Sequence, residues 1–268
     1  VAGESWRELS SDHFKVFYLN DERFARDCLD KAELYYNDIA SQLGYPRYSE
    51  FWLWDKRVKI FIYPDHAAYL KATHQPQWSQ GMADYRQKQV ISYVWSSGFL
   101  ESLLPHEIAH LIFRDFVGFR GEVPLWLDEG VAQWSEKAKR VAMRQIVRKK
   151  FDEDSLLTMN DMMRIDIRNI SDKEKLFIRP TKTREGEDGV LFLSTEAILN
   201  AYYVQGFSLV DFLITRYGTD DFTYFCRQLR DGKSMEEALR FAYPNYIKSL
   251  AELEVRWREY VGSEEYVN

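Results

Sequence analysis

Cysteine is nearly absent from this chain. Cys28 and Cys226 are its only two, far apart and without CxxC or Cys/His spacing, so a cysteine-ligated zinc site is excluded and at most one disulfide is allowed, with two buried free thiols as the alternative. An excess of basic charge is also missing. Lys and Arg number 36 against 42 Asp and Glu, for a net charge of −6, and duplex nucleic-acid binding needs the opposite balance to neutralise phosphates. No uninterrupted apolar run reaches the roughly 18 residues of a membrane helix, so no transmembrane segment is expected. Low-complexity tracts and internal repeats are lacking as well. The chain opens at Val1 rather than Met, as after removal of a signal peptide, which leads to an expectation of an extracytoplasmic location.

What is present is enough for a substantial core. The 268 residues are 46% hydrophobic, which suits one large domain or two packed subdomains. Aromatic residues make up 16% of the chain, so a single aromatic near any site is weak evidence of function. The basic stretch KAKRVAMRQIVRKK at 137–150 has helical spacing and ends in positive charge that suits a helix C-terminus, which reads as a solvated face.

Two textures divide the sequence. HFKVFYL (13–19) and RVKIFIY (57–63) alternate as half-buried strands do, around a helical stretch at 21–44 with Asp21 as cap and Gly44 as stop. QVISYVW (89–95) predicts a third strand. From Pro124 onward the periodicity is helical, over 124–150, 195–217, 219–231, 234–242 and 246–261. The predicted fold class is α+β, with an N-terminal part at 1–120 and a mainly helical part at 121–268. Between the long helices, 165–190 is charged and poorly periodic. It is read as a mobile flap over a cleft or an inert insertion, with KLFIRP and GVLFLS pairing as a hairpin.

The chemistry concentrates at His106-Glu107-Ile108-Ala109-His110. With only five His in the chain, chance produces such a match on the order of once in a hundred sequences, so corroboration is needed. On a helix the two histidines lie one turn apart on one face and can share a tetrahedral ion. Glu107 points about 100° away, where a carboxylate can handle a water proton without acting as a ligand. Burying these groups in an apolar helix without partners is costly, which counts against an incidental core helix. A third histidine on the same helix is ruled out, because positions 113 and 116 are both Phe. PLWLDEGVAQW (124–134) instead supplies Glu129, with eighteen residues between it and His110, in the second turn of a helix opened by Pro124. Gly130 allows close approach to the His-bearing helix, Gln133 can orient a ligand, and Asp128 competes as ligand from another side of the helix. Two imidazoles, one carboxylate and an open position suit Zn2+.

HEIAH followed by Glu129 in WLDEGVAQW resembles the gluzincin metallopeptidases, the group of thermolysin and the membrane-alanyl aminopeptidases, and more closely their peptidase MA-like family. The resemblance implies a zincin-like catalytic domain, a peptide or protein substrate, and amide hydrolysis in which Glu107 takes the water proton and passes it to the leaving amine. AYYVQGFSLVDFL (201–213) is similar to the segment of those aminopeptidases whose Tyr bonds the oxyanion. This implies that role for Tyr203, with Tyr202 as an adjacent rival and Gln205 where the family has Lys. SDHFKVFY and the C-terminal stretch from YGTDDFTYF also look like the family, so the likeness covers most of the chain. Strand 89–95, if an edge as in relatives, would pair with an extended peptide. Asp128 stands where the aminopeptidases carry Asn, and GMADY (81–85) lacks the Glu that binds their substrate amine, which leaves endo- or aminopeptidase action open. The alternatives are a zinc-binding scaffold without activity and a cell-envelope interaction domain.

Overall fold

The structure is a computed structural model that describes residues 5–44, 52–77, 79–95, 98–118, 123–167, 177–182 and 186–267. It is α+β and divides into two compact units, 1–118 and 119–268.

The first unit is built on a mixed sheet. Strands β1 (Arg7–Ser10), β2 (Phe14–Tyr18), β3 (Val58–Tyr63), β4 (Met82–Asp84) and β5 (Gln89–Tyr93) lie in the order β1-β2-β3-β5-β4. β2, β3 and β5 run parallel, while β1 and β4 are antiparallel edges. β5, expected to be an edge, is therefore interior, because the three-residue β4 covers it. Alternation sends Phe14, Val16, Val58, Ile60, Ile62 and Val90 into a core where none is more than 1% exposed. On the opposite face Phe17 stacks on Phe61 at 4.8 Å and Trp6 meets Phe61 edge-on.

Helix α1 (Glu22–Gln42) begins where Asp21 accepts from the Phe24 N–H at 2.9 Å and is followed by Gly44 at φ +67°. It packs on β2 and on α3 (Leu104–Val117), while the short α2 (His66–Thr73) covers β3 and β5.

The second unit is mostly helical. Its helices are α4 (Leu125–Ser135), α5 (Arg140–Asp152), α6 (Met159–Arg164), α7 (Thr195–Tyr217), α8 (Thr219–Arg230), α9 (Met235–Ala242) and α10 (Leu250–Gly262). The helical stretch expected over 124–150 is broken. Glu136 leaves the helix at ψ 69°, 2% exposed and 2.5 Å from Lys139, and a 3-10 turn Lys137–Lys139 leads into α5. Arg140 folds back so that its Nε donates to the Trp134 carbonyl at 2.6 Å, satisfying an orphan carbonyl at the end of α4. α5 buries Met143 and Val147; of its basic residues Lys149 is exposed, while Arg140, Arg144, Arg148 and Lys150 are half-buried, so the expected solvated face is only partly solvated.

α7 is the central helix. Among the described residues it is the one helix long and apolar enough to cross a membrane, and 72% of its most apolar window is buried inside the protein. The expectation of no such segment counted only unbroken apolar runs, and polar residues interrupt this one. Inside the bundle Arg144 forks onto Asp211 at 2.8 and 3.0 Å, and Trp257 and Tyr266 both bond the Ser208 hydroxyl. Strands β6 (Phe177–Lys182) and β7 (Asp188–Leu193) form the anticipated antiparallel hairpin, with Phe177 opposite Leu193. Within the expected flap, 168–176 and 183–185 lie outside the described residues. Cys28 and Cys226 are both free and buried, so no disulfide forms, and burial pushes both thiols up.

Candidate metal centre

The helix carrying the HExxH sequence does not start as a regular α-helix. Phe99–Leu103 form a π-helical turn that runs directly into α3, with Pro105 at the start of the regular part. π-turns are rare and recur at functional sites. This one is held from α1: the Glu101 carboxylate accepts from Lys31 Nζ at 2.5 Å and from the Tyr35 hydroxyl at 3.3 Å. The hydrogen bond from Lys31 holds Glu101 below the usual carboxylate range. Burial, with Glu101's charge adding to it, pushes the Tyr35 phenol up to about 12.

At the far end of α3, Asp115 Oδ2 accepts from Trp52 Nε1 at 2.6 Å and from Lys88 Nζ at 2.5 Å. Gly118 closes the helix at φ +78°. Neither Glu101 nor Asp115 stood out in the sequence, since nothing local marks an acidic residue as a strap.

Between the two straps lie His106, Glu107 and His110. His110 is 3% and Glu107 8% exposed, with His106 half-buried. The two Nε2 atoms are 3.2 Å apart, and the ring planes cross at 79°. Two Zn–N bonds of about 2.0–2.1 Å at a tetrahedral angle put the nitrogens roughly 3.3 Å apart. The imidazole pair therefore fits a shared ion within the tolerance of a metal site. Glu107, next after His106, leaves the helix about 100° away from it. Burial raises the Tyr69 phenol, and the charge of Glu107 adds to the rise.

GMADY resolves into the end of the sheet. Asp84 Oδ1 accepts from the N–H groups of Arg86 and Gln87 at 2.9 and 3.0 Å, making it the residue that organises the β4–β5 turn.

The other expected site residues belong to the second unit. Pro124 precedes α4, and Glu129 falls in its second turn, half-buried beside Asp128, which is 2% exposed. Gly130 does allow a close approach, and the helix it admits is α7: a Cβ there would lie 2.4 Å from the Gly206 carbonyl oxygen. Tyr202 is fully buried, and its hydroxyl donates to the Met162 carbonyl at 3.3 Å, whereas Tyr203 is half-buried. Gln205 is 0% exposed and closes a two-way bond with the Leu157 backbone, accepting at 2.6 Å and donating at 3.0 Å. Its place in the sequence thus has a structural reason. No protein-family model and no curated protein matches this chain.

Proposed function

We propose that this chain is a zinc-dependent metallopeptidase of the zincin-like type, with His106, His110 and Glu129 as the protein ligands and Glu107 as the general base. An imidazole nitrogen from each histidine and a carboxylate oxygen of Glu129 form the donor set, the combination that catalytic zinc favours. The observation that carries the reading is the pair of imidazole nitrogens 3.2 Å apart, with a mostly buried non-ligand carboxylate next to one of them in sequence. A purely structural site has no use for that carboxylate.

Zinc bound there supplies Lewis acidity that brings the pKa of a water to about 7. A carboxylate oxygen of Glu107 accepts one proton as the water oxygen adds to the peptide carbonyl carbon. It then delivers that proton to the amide nitrogen as the C–N bond breaks, leaving an acid and an amine. The Tyr203 phenol donates to the developing oxyanion. An extended substrate pairs with the edge strand β4 rather than with interior β5.

The test is elemental analysis joined to turnover of a mixed peptide library. About one zinc per chain is expected, lost on His106→Ala or His110→Ala. Glu107→Gln should keep the metal and lose roughly 10²–10⁴-fold in rate. Absence of metal after zinc-replete growth sinks the proposal. Zinc retained without hydrolysis of any peptide leaves a binding scaffold instead.

A further inference from the structure

The stripe of α3 that carries the two histidines continues to Arg114, because 106, 110 and 114 are each four apart. One side chain from elsewhere in the first unit lies over that stripe. Tyr85, the first residue after β4, sets its ring 5.8 Å from the His110 ring with the planes at 70°, inside the edge-to-face range of aromatic pairs. The Arg114 guanidinium lies 5.8 Å from the centre of the same Tyr85 ring, within cation–π reach. The tyrosine is half-buried. Its backbone position is set on both sides. Asp84 ties the turn through Arg86 and Gln87, and Lys88, at φ +52°, reaches Asp115 on α3.

The second side-chain torsion of histidine is broad and roughly two-fold, so a ligating imidazole needs a wall to keep its nitrogen aimed. A metal-binding histidine usually gets this from a hydrogen bond to its other nitrogen. We infer that Tyr85 is a positioning residue for His110: its ring, held also by Arg114 one turn further along the same helix, limits the swing of the imidazole and keeps Nε2 converged on that of His106. The inference rests on the metal-centre reading above and deepens it. Sequence offered no way to pick this residue out of a chain so rich in aromatics.

The ring, not the hydroxyl, does the positioning, so substitutions can separate the two. Zinc affinity of the intact 268-residue chain is measured by competition with a chromogenic chelator, and the cobalt-loaded protein supplies a visible spectrum. Tyr85→Phe should bind zinc within twofold of wild type with an unchanged cobalt spectrum. Tyr85→Leu, which keeps apolar bulk but no ring, should bind about tenfold more weakly with shifted cobalt bands, while the metal-free chain melts within a few degrees of wild type. Lys88→Ala loosens the turn that carries the ring without removing it and should weaken binding by clearly less than Tyr85→Leu does.

A loss under threefold in Tyr85→Leu overturns the inference and leaves the metal reading standing. An equal loss in Tyr85→Phe or in Lys88→Ala also overturns it, since the hydroxyl or the turn would then be responsible. Failure of wild type itself to bind zinc removes the metal reading and this inference with it.

Discussion

Helices α3 and α4 each carry part of the proposed ligand set, and they are fastened in opposite ways. α3 is strapped near both ends by acidic side chains, Glu101 to Lys31 and Tyr35, Asp115 to Lys88 and Trp52. α4 is fastened to α7 by backbone meeting backbone, where Gly130 and Gly206 leave no room for a Cβ on either helix. An exposed charge pair such as Glu101 with Lys31 is weakened by salt. A glycine contact between helices is steric and tolerates nothing larger. The histidine helix thus adds side-chain pairs at its ends to a buried apolar face, whereas the glutamate helix depends on a fit between backbones.

The sharpest way to break this contrast is Gly130→Ala. The added methyl would sit 2.4 Å from the Gly206 oxygen, and a backbone atom cannot rotate away, so a loss of about 3 kcal/mol is expected, at the top of the overpacking range. Urea unfolding, together with faster amide exchange in α4 and α7, would measure it. A loss under 1 kcal/mol would show that the bundle repacks freely and erase the difference between the helices.

Removing a strap from α3 should cost less. Asp115→Ala leaves the indole N–H of fully buried Trp52 without its acceptor, for a loss of about 2 kcal/mol, and Asp115→Asn, which keeps an acceptor oxygen, should recover part of it. Equal losses in the two variants would locate the effect in the Lys88 charge pair instead.

The smallest effect belongs to Glu101. Its ion pair with Lys31 is 50% and 34% exposed on the two side chains, so solvent screening limits its worth to about 0.2–1 kcal/mol. The folded protein holds the Glu101 carboxyl below its ordinary value, chiefly through the bond from Lys31. The stabilisation is therefore complete above the usual carboxylate range and lost as pH falls through the lowered value. Glu101→Gln should be slightly less stable than wild type at neutral pH and low salt, the gap closing in acid and in high salt. A gap that persists in both would mean that the π-turn, not the charge, depends on this residue.

How far the sequence could be read follows the range of the forces involved. The alternation in FKVFY and VKIFIY, the Asp21 cap and the start of α4 after Pro124 depend on neighbours within a few residues, and these were legible. The same holds for His106 and His110, since a four-residue spacing fixes a shared helix face once the helix exists. The three-residue β4 is too short to show a period. The π-turn changes helical phase through Glu101 contacts spanning 66 and 70 positions of sequence. The break at Glu136 falls inside a stretch whose apolar spacing looks continuous.

By itself, then, the sequence determined the longer strands and helices, and that two histidines stand four residues apart on one helix with Glu107 between them and Glu129 further along the chain. Those follow from local periodicity and side-chain chemistry, which any chain carries in its order. Tertiary structure alone decided that β4 rather than β5 is the sheet edge, that Gly130 serves α7, and that Tyr202 is engaged through its hydroxyl at Met162. It also decided that one tyrosine among many lies against His110. Each of these depends on which distant backbone arrives at a surface, and steric exclusion between segments far apart in the chain leaves no periodic trace in either one.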